Sequence, residues 1–71
     1  QEYLKVYDVA IDYYTKAIEI EPKYIDAYYN RALCYENKDK LKEAEADLRE
    51  ALRLNPQYTE AAKALERVLS R

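Results

Sequence analysis

The sequence predicts an all-α fold, an antiparallel stack of helix hairpins built from four helices. The 71-residue chain has no glycine and only two prolines, so few residues oppose helix formation. Apolar residues recur at spacings of three and four along the chain, which is typical of one face of a helix. The pattern of the first half also recurs at a fixed interval in the second half. Together these observations predict short helices, each packed against its neighbour in sequence.

The first helix is predicted over residues 1–21, with no internal proline or glycine. A break near Lys5–Val6 is the alternative, because the internal repeat aligns Lys5 with a turn. Pro22 ends the helix, since the residue before a proline avoids the helical conformation. The residues expected on its apolar face are Tyr3, Leu4, Tyr7, Ala10, Ile11, Tyr14, Ala17 and Ile18.

Three further helices follow in the same pattern. The second is predicted from residue 25 or 26 to the polar run at residues 37–40, the third over 41–54, and the fourth from 58 or 59 to 69. The buried stripe predicted for the second helix is Ala27, Tyr28, Arg31 by its aliphatic stem, Ala32, Cys34 and Tyr35. That of the third is Leu41, Ala44, Leu48, Ala51, Leu52 and Leu54. That of the fourth is Ala61, Ala62, Leu65, Val68 and Leu69.

The turn between the second and third helices has no glycine. Asn37 and Asp39 are the residue types that best tolerate the left-handed conformation such a turn needs. Asp39 is also expected to cap the third helix with its carboxylate.

The internal repeat identifies a known architecture. One and the same offset pairs Pro22 with Pro56, Ala10 with Ala44, Ala17 with Ala51, Tyr24 with Tyr58 and Ala27 with Ala61. Paired helices that recur at this offset, about 34 residues, are the signature of the tetratricopeptide repeat (TPR), an α-solenoid unit. The chain resembles that family along its whole length. The residues that match its pattern are Tyr28, Ala32, Tyr35, Ala44, Leu48, Ala51 and Pro56.

The resemblance divides the chain into half a repeat, a whole repeat and half a repeat. Residues 1–24 resemble the second-helix half of a TPR, residues 25–58 a complete TPR, and residues 59–71 a C-terminal capping helix. Asp39 replaces the usual turn glycine, and Arg31 replaces the usual Leu. The first helix lacks its hairpin partner within this sequence, so Tyr3, Leu4 and Val6 are expected to be partly exposed and to favour self-association.

Composition excludes several classes of function. Twelve basic and fourteen acidic residues give a net charge of −2, too balanced to indicate nucleic acid or an anionic membrane as partner. There is no histidine, no phosphate-binding loop and no metal-ligand spacing, so neither an enzyme nor a cofactor is expected. The single cysteine, Cys34, is interpreted as a structural thiol and suits a cytoplasmic location. The carboxylates of the third helix, Asp47 among them, are expected to face solvent.

The TPR resemblance implies a binding surface on the concave side of the array, formed by the first helices of successive pairs. The residues expected there are Asp26, Tyr29, Asn30, Leu33, Glu36, Asn37, Lys63 and Arg67, with Glu60 and Ala64 beside them. Tyr29 is the strongest candidate for ligand contact, because Tyr28 already fills the core position. Asp26 and Glu36 are expected at one end of this groove, and Lys63 and Arg67 at the other.

The run Tyr29-Asn30-Arg31-Ala32 also resembles the central repeat of TPR domains that clamp the acidic C-terminal tails of heat-shock chaperones. In that family the asparagine binds the terminal carboxylate with Lys and Arg from flanking helices. Here Glu60 and Ala64 occupy the corresponding positions. An intact clamp is therefore not expected, and Asn30 is interpreted as a structural or backbone-binding residue.

The sequence leaves two functions open. The first is a protein-interaction module that binds a peptide or a partner protein on the concave face. The second is a structural or self-assembly unit, a homo-oligomer or a domain-swapped dimer, in which a turn without glycine straightens and exchanges helices between chains.

Overall fold

The computed structural model describes residues 2–71, with side chains described from residue 5 onward. This part of the chain folds into four helices and contains no strand. The helices are α1 (Glu2–Ile20), α2 (Ile25–Asn37), α3 (Leu41–Leu54) and α4 (Thr59–Leu69). The predicted all-α class is confirmed, and the break near Lys5–Val6 is absent because α1 is continuous through it. Of the side chains expected to be exposed at the start of α1, those of Tyr3 and Leu4 lie outside the described ones, while Val6 is exposed.

Each helix packs against the next in sequence, and α4 also touches α2. The contact between α1 and α2 shows their relative direction: Lys38 pairs with Asp8, and Arg31 donates to Thr15. The residue number rises along one helix as it falls along the other, so the two run antiparallel. The result is a flat body of about 34 × 32 × 16 Å, in which α2 contacts each of the other three helices.

Small residues form the centre of the core. Ala44, Ala51 and Ala61 have no exposed surface, and Leu48 is the one large side chain among the described residues that is fully buried. Alanines at helix contacts let two backbones approach closely, which the TPR resemblance also implies. Larger side chains pack around this centre and remain partly exposed: Ile25, Tyr28, Tyr29, Leu33, Tyr35, Leu41, Leu52, Tyr58 and Leu65.

The buried stripe of α4 differs from the predicted one. Ala62 is exposed and Leu69 is 55% exposed, whereas Ala64 is buried. The reason is that α4 contacts α3 and α2 together, so the buried arc is rotated toward α2. A stripe inferred from α4 alone could not include that second contact.

The prediction that Arg31 is buried only by its stem, and Asp47 not at all, is wrong. Arg31 Nε and Nη2 donate to the two carboxylate oxygens of Asp47, each at 2.7 Å. Asp47 is only 6% exposed. Arg31 Nη1 also donates to Thr15 Oγ1 at 3.0 Å, and its guanidinium lies 5.7 and 5.8 Å from the ring centroids of Tyr28 and Tyr35. One side chain of α2 therefore connects α1 with α3.

The turn after α2 closes as a Schellman motif. Asp39 has φ of 66°, the left-handed conformation predicted for it, and its N–H donates to Glu36 O at 3.0 Å. The N–H of Lys40 donates to Tyr35 O at 2.8 Å, which completes the motif. The expectation that Asp39 caps α3 is wrong, because its side chain makes no cap hydrogen bond and instead accepts from Arg71 Nη2 at 3.0 Å.

We expect the Arg31–Asp47 pair to be strongly coupled. Asp47→Ala should lower the free energy of unfolding by about 2–3 kcal/mol, because it leaves a mostly buried guanidinium without its counterion. The double variant Arg31→Met/Asp47→Leu should lose less than the sum of the two single changes. Urea unfolding followed by circular dichroism measures both effects. The control is the pair Glu45–Arg49 on the surface of α3, at 2.9 Å. Its coupling energy in a double-mutant cycle should be below about 0.5 kcal/mol. An equal coupling energy at both pairs would contradict a special role of Arg31–Asp47 in stability.

The left-handed conformation of Asp39 leads to a second prediction. Asp39→Gly should be more stable than Asp39→Ala by about 1 kcal/mol, since only a residue with a Cβ is penalised at positive φ. Both variants lose the contact with Arg71, so the comparison isolates the backbone. Equal midpoints of the two variants in urea would show that the turn does not keep this conformation in solution.

Candidate functional site

The candidate site is the side of α2 and α4 that no other helix covers. On α2 the side chains at positions 26, 30, 33 and 37 follow each other at spacings of four, three and four, so they form one stripe along the helix. None of these four is fully buried. We call this surface the α2–α4 face, and its residues are Asp26, Asn30, Leu33, Asn37, Glu60, Lys63 and Arg67.

The two helices of this face run in the same direction. The rings of Tyr29 and Tyr58 are in contact at one end, and Glu36 contacts Arg67 further along both helices. The residue numbers therefore rise together, as expected for the first helices of two successive repeats. Residues that the repeat offset pairs consequently lie beside one another.

Tyr29 has a structural role, contrary to the expectation that Tyr28 alone fills the core position, while its contact with a ligand stays a prediction. Its ring centroid lies 5.2 Å from that of Tyr58, with an interplanar angle of 38°. The ring is partly buried and packs against the core cluster. Since α4 covers the side of α2 from which Tyr29 projects, this tyrosine joins the two helices.

Glu36 and Arg67 do not lie at opposite ends of a groove, as expected from the sequence, but form an ion pair. Arg67 Nε and Nη2 donate to the two oxygens of Glu36, each at 2.7 Å. Arg71, which the sequence did not indicate, donates to the same carboxylate at 3.2 Å. Glu36 is 9% exposed. Hydrogen bonding from Arg67 lowers the pKa of Glu36 below its usual range, and burial opposes this effect only in part.

The beginning of the face is acidic. Asp26 and Glu60 are paired by the repeat offset at the starts of the two parallel helices, and both are exposed. Their carboxylates both act on Tyr58: burial is the main cause that raises the pKa of this phenol, and the negative charges of Asp26 and Glu60 add to it. The structure therefore brings Asp26, Glu60 and Tyr58 together.

The two asparagines of the face differ in their hydrogen bonding. Asn37 Nδ2 donates to Leu33 O of its own helix at 2.9 Å. Asn30 is partly buried, and its carboxamide makes no hydrogen bond to any residue that the structure describes. Asn30 therefore presents an unused donor and an unused acceptor on this face.

The other expected residues vary in exposure. Lys63 is exposed, and Leu33 is partly buried against the core. Ala64 is buried, so it does not contribute to the face. The face thus has an acidic beginning, an open carboxamide and an apolar residue in its middle, and an exposed lysine on α4.

Other kinds of site find little support in the described residues. Burial raises the pKa of the Cys34 thiol, which keeps it protonated and poorly nucleophilic. No group of three or more acidic or cysteine side chains is arranged to hold a metal ion, as far as the structure describes the chain. Of the four helices, none within residues 2–71 combines the length and apolar character that crossing a membrane requires.

Comparison with known protein families agrees with this architecture. One family model, described as Tetratricopeptide repeat, matches residues 25–58. A second, described as TPR repeat, matches residues 4–39, which is half of the chain. The chain belongs to the tetratricopeptide repeat family. Its hairpin α2–α3 lies within the residues of the first match.

Similar TPR sequences occur in proteins from several organisms. The chain is 36% identical over 63 residues to the heat shock protein STI1 of Saccharomyces cerevisiae, covering 86% of this chain and 10% of that protein. It is 46% identical over 55 residues to tetratricopeptide repeat protein 36 of Caenorhabditis elegans, covering 78% and 31%. It is 41% identical over 71 residues to the human mitochondrial import receptor subunit TOM70, covering 87% and 12%. The chain thus spans between a tenth and a third of these curated relatives.

Membership of the TPR family implies a protein–protein interaction module. Proteins of this family are generally scaffolds without enzymatic activity. The α2–α4 face is built from two parallel helices of this module.

We expect the Glu36–Arg67 contact to make the stability of this TPR chain depend on pH. Because the pKa of Glu36 is lower in the folded chain than in the unfolded chain, the unfolded chain binds more protons between the two values. The stabilisation is therefore complete above the ordinary pKa of about 4.3 and is lost as the pH falls through the folded value. Its size should be about 1 kcal/mol, since Arg67 is half exposed.

Urea unfolding at neutral pH and at pH values below the ordinary glutamate pKa measures this effect. Wild type should lose more stability on acidification than Glu36→Gln, which keeps the side-chain shape but cannot titrate. All other carboxylates are shared by the two proteins, so the difference reports Glu36. Parallel pH profiles would contradict the ion pair.

Proposed function

We propose that the α2–α4 face binds an extended peptide segment of a partner protein. The observation that carries this proposal is the carboxamide of Asn30, which is partly buried yet unbonded within the described residues. Its polar atoms are open to solvent, since no buried side-chain nitrogen or oxygen of the described residues lacks a partner, and an amide group offers one donor side and one acceptor side. A peptide backbone presents the complementary pair at every residue, so it satisfies both.

The neighbours of Asn30 suggest the character of the peptide. Leu33 lies one turn further along α2 and offers an apolar contact. Asp26 lies one turn earlier, beside Glu60 on the parallel helix. The proposed segment therefore carries a basic residue near the two carboxylates and an apolar residue near Leu33. Charge complementarity at the acidic end would favour binding of such segments at low ionic strength.

A clamp for a terminal carboxylate is a poorer interpretation of the same face. Such a clamp needs a Lys and an Arg beside Asn30, but the positions of α4 that would carry them are Glu60, an acid, and Ala64, which is buried. Lys63 is exposed on the same helix but supplies only one cation. Arg67 is bound to Glu36 at 2.7 Å and is not free to move to Asn30 without breaking that pair. An internal stretch of a partner suits the face better than a C-terminal tail.

The comparisons lend general support to a protein partner. One relative is named as a subunit of an import receptor, and a receptor acts by recognising other molecules. The chain spans only 12% of that relative, so the identity of the partner is not carried over. A cytoplasmic location is part of this proposal, because the single thiol, Cys34, is unpaired and such thiols persist in reducing compartments.

The proposal is tested with peptides selected against the chain from a random peptide library. Binding of the best peptides is then measured by isothermal titration with wild type and with Asn30→Ala. We expect the substitution to weaken binding about tenfold, the effect of losing one or two neutral hydrogen bonds. Selected peptides should also be enriched in Lys or Arg beside an apolar residue, and Asp26→Asn should reduce that preference.

Lys42→Ala is the matched control, because Lys42 is exposed on α3, away from the α2–α4 face. It should leave the affinity unchanged. Peptides that bind Asn30→Ala as tightly as wild type would overturn the assignment of the face, and enrichment of acidic C-terminal sequences would favour the carboxylate clamp instead.

A further inference from the structure

The far end of the α2–α4 face carries a charge network that the proposed peptide contacts do not use. Arg67 Nε and Nη2 donate to the two carboxylate oxygens of Glu36, each at 2.7 Å. Arg71 Nη1 donates to the same carboxylate at 3.2 Å, and Arg71 Nη2 donates to Asp39 at 3.0 Å. Two arginines at this end of the face are thus bound to two acidic side chains of the chain itself. We call these four residues the arginine network.

The two partners of the main contact differ in exposure. The side chain of Glu36 is 10% exposed, whereas that of Arg67 is 53% exposed. The carboxylate is therefore hidden from a ligand that lies on the face. The arginine is open to such a ligand, but its Nε and Nη2 are already occupied by Glu36.

The internal repeat shows that the place of Arg67 on the face is a property of the fold. The repeat offset aligns Arg67 with Leu33 of α2. Leu33 also remains partly exposed, although α2 is packed against three helices. The accessibility of this position therefore does not depend on what packs against the other side of α4. Leu33 fills it without an ion pair, so packing at this position does not require a charge.

An unpaired cation lies one turn before Arg67. Lys63 precedes it by four residues on α4, so the two side chains share one side of the helix. Lys63 is exposed and makes no ion pair with any residue that the structure describes. A guanidinium group binds a carboxylate through two parallel hydrogen bonds, and an ammonium group attracts it as a point charge. With Arg67 unbound, these two neighbours would form a site for acidic residues of a peptide.

Glu36 blocks that site from within the chain. Its carboxylate takes the two donors that the carboxylate of a ligand would need. Because the fold holds it at contact distance, it competes at an effective concentration of at least about 1 mM. Hydrogen bonding from Arg67 also lowers the pKa of Glu36, so this competitor is charged at neutral pH. An acidic peptide at micromolar concentration therefore does not displace it.

The charges that remain uncompensated favour the opposite kind of ligand. The arginine network is neutral as a whole, since it contains two acidic and two basic side chains. Outside it, the face carries the carboxylates Asp26 and Glu60 against the single ammonium group of Lys63. We propose that Glu36 determines the charge specificity of the α2–α4 face, because it occupies Arg67 and so excludes acidic segments. This inference rests on the proposed function, in which the α2–α4 face is the surface that binds the partner.

The test uses fluorescein-labelled hexaglutamate with both ends blocked, titrated by fluorescence anisotropy at low ionic strength. Its blocked C-terminus leaves only side-chain carboxylates to bind. Glu36→Gln removes the charge of the competitor and keeps its shape. It should bind hexaglutamate at least about tenfold more tightly than wild type, the gain expected from one charge-assisted hydrogen bond. Added salt should reduce this gain.

Two controls locate the gain. Glu19→Gln removes the same charge from α1, a helix that does not contact α4 within the described residues. It should bind hexaglutamate no better than wild type. The double variant Glu36→Gln/Arg67→Gln should lose the gain, because the released guanidinium is then absent.

A second variant separates specificity from stability. A residue with a structural role alone lowers stability when it is replaced, but its loss creates no affinity for an anion. Glu36→Ser introduces the residue type that the repeat offset aligns with this position, at Ser70. It should show the same gain as Glu36→Gln. Far-UV circular dichroism at the titration temperature checks that each variant has the helical content of wild type.

Three outcomes would overturn the proposal. They are an absence of gain in both folded Glu36 variants, an equal gain in Glu19→Gln, and a gain that survives in the double variant. The peptides selected on wild type give a separate readout. If Asn30→Ala leaves their affinity unchanged, the binding face is wrong, whereas missing affinity for hexaglutamate overturns only the role of Glu36.

Discussion

The packing of this chain depends on holding α2 against three other helices at once, and the side chain of Arg31 makes polar contacts with two of them. Two charge-assisted hydrogen bonds of 2.7 Å join α2 to α3, and a third bond from the same guanidinium reaches Thr15 of α1. Around this contact the alanines let the helices approach closely, but packing between small apolar side chains does little to fix the relative orientation of the helices. A bidentate ion pair adds that geometric specificity.

The sequence was sufficient to predict the helices and the class of fold. The repeat period and the prolines Pro22 and Pro56 determined where helices end, and the observed limits agree closely with the predicted ones. The ion pairs could not be predicted in this way. The repeat aligns Arg31 with Leu65 and Asp47 with Tyr13, so the pair occurs once. A repeat period shows only the residue types that the repeats have in common, whereas these ion pairs are formed by residues that differ between the repeats.

The candidate site was predicted less well than the fold, for a related reason. The predicted stripe on α2 includes Asp26, which is exposed, and Asn30, which is partly buried, and their role in binding stays a prediction. Tyr29 and Glu36, however, project toward α4 and are engaged there by Tyr58 and Arg67. Helical spacing shows on which side of its own helix a residue lies. It does not show which other helix packs against that side in the folded chain. The separation of Glu36 and Arg67 in sequence, close to one repeat on two parallel helices, was the signal that could have revealed the pair.

The shape of the α2–α4 face limits the kind of segment that it can bind. The face is shallow and offers few polar groups, which limits its affinity for a single short peptide. Asp26, Asn30 and Leu33 lie on successive turns of α2, so one extended segment can contact all three. Each contact is weak alone, and their sum depends on a segment that lies along the helix. The face would therefore favour a partner whose charged and apolar residues match this order over a partner with one strong anchor.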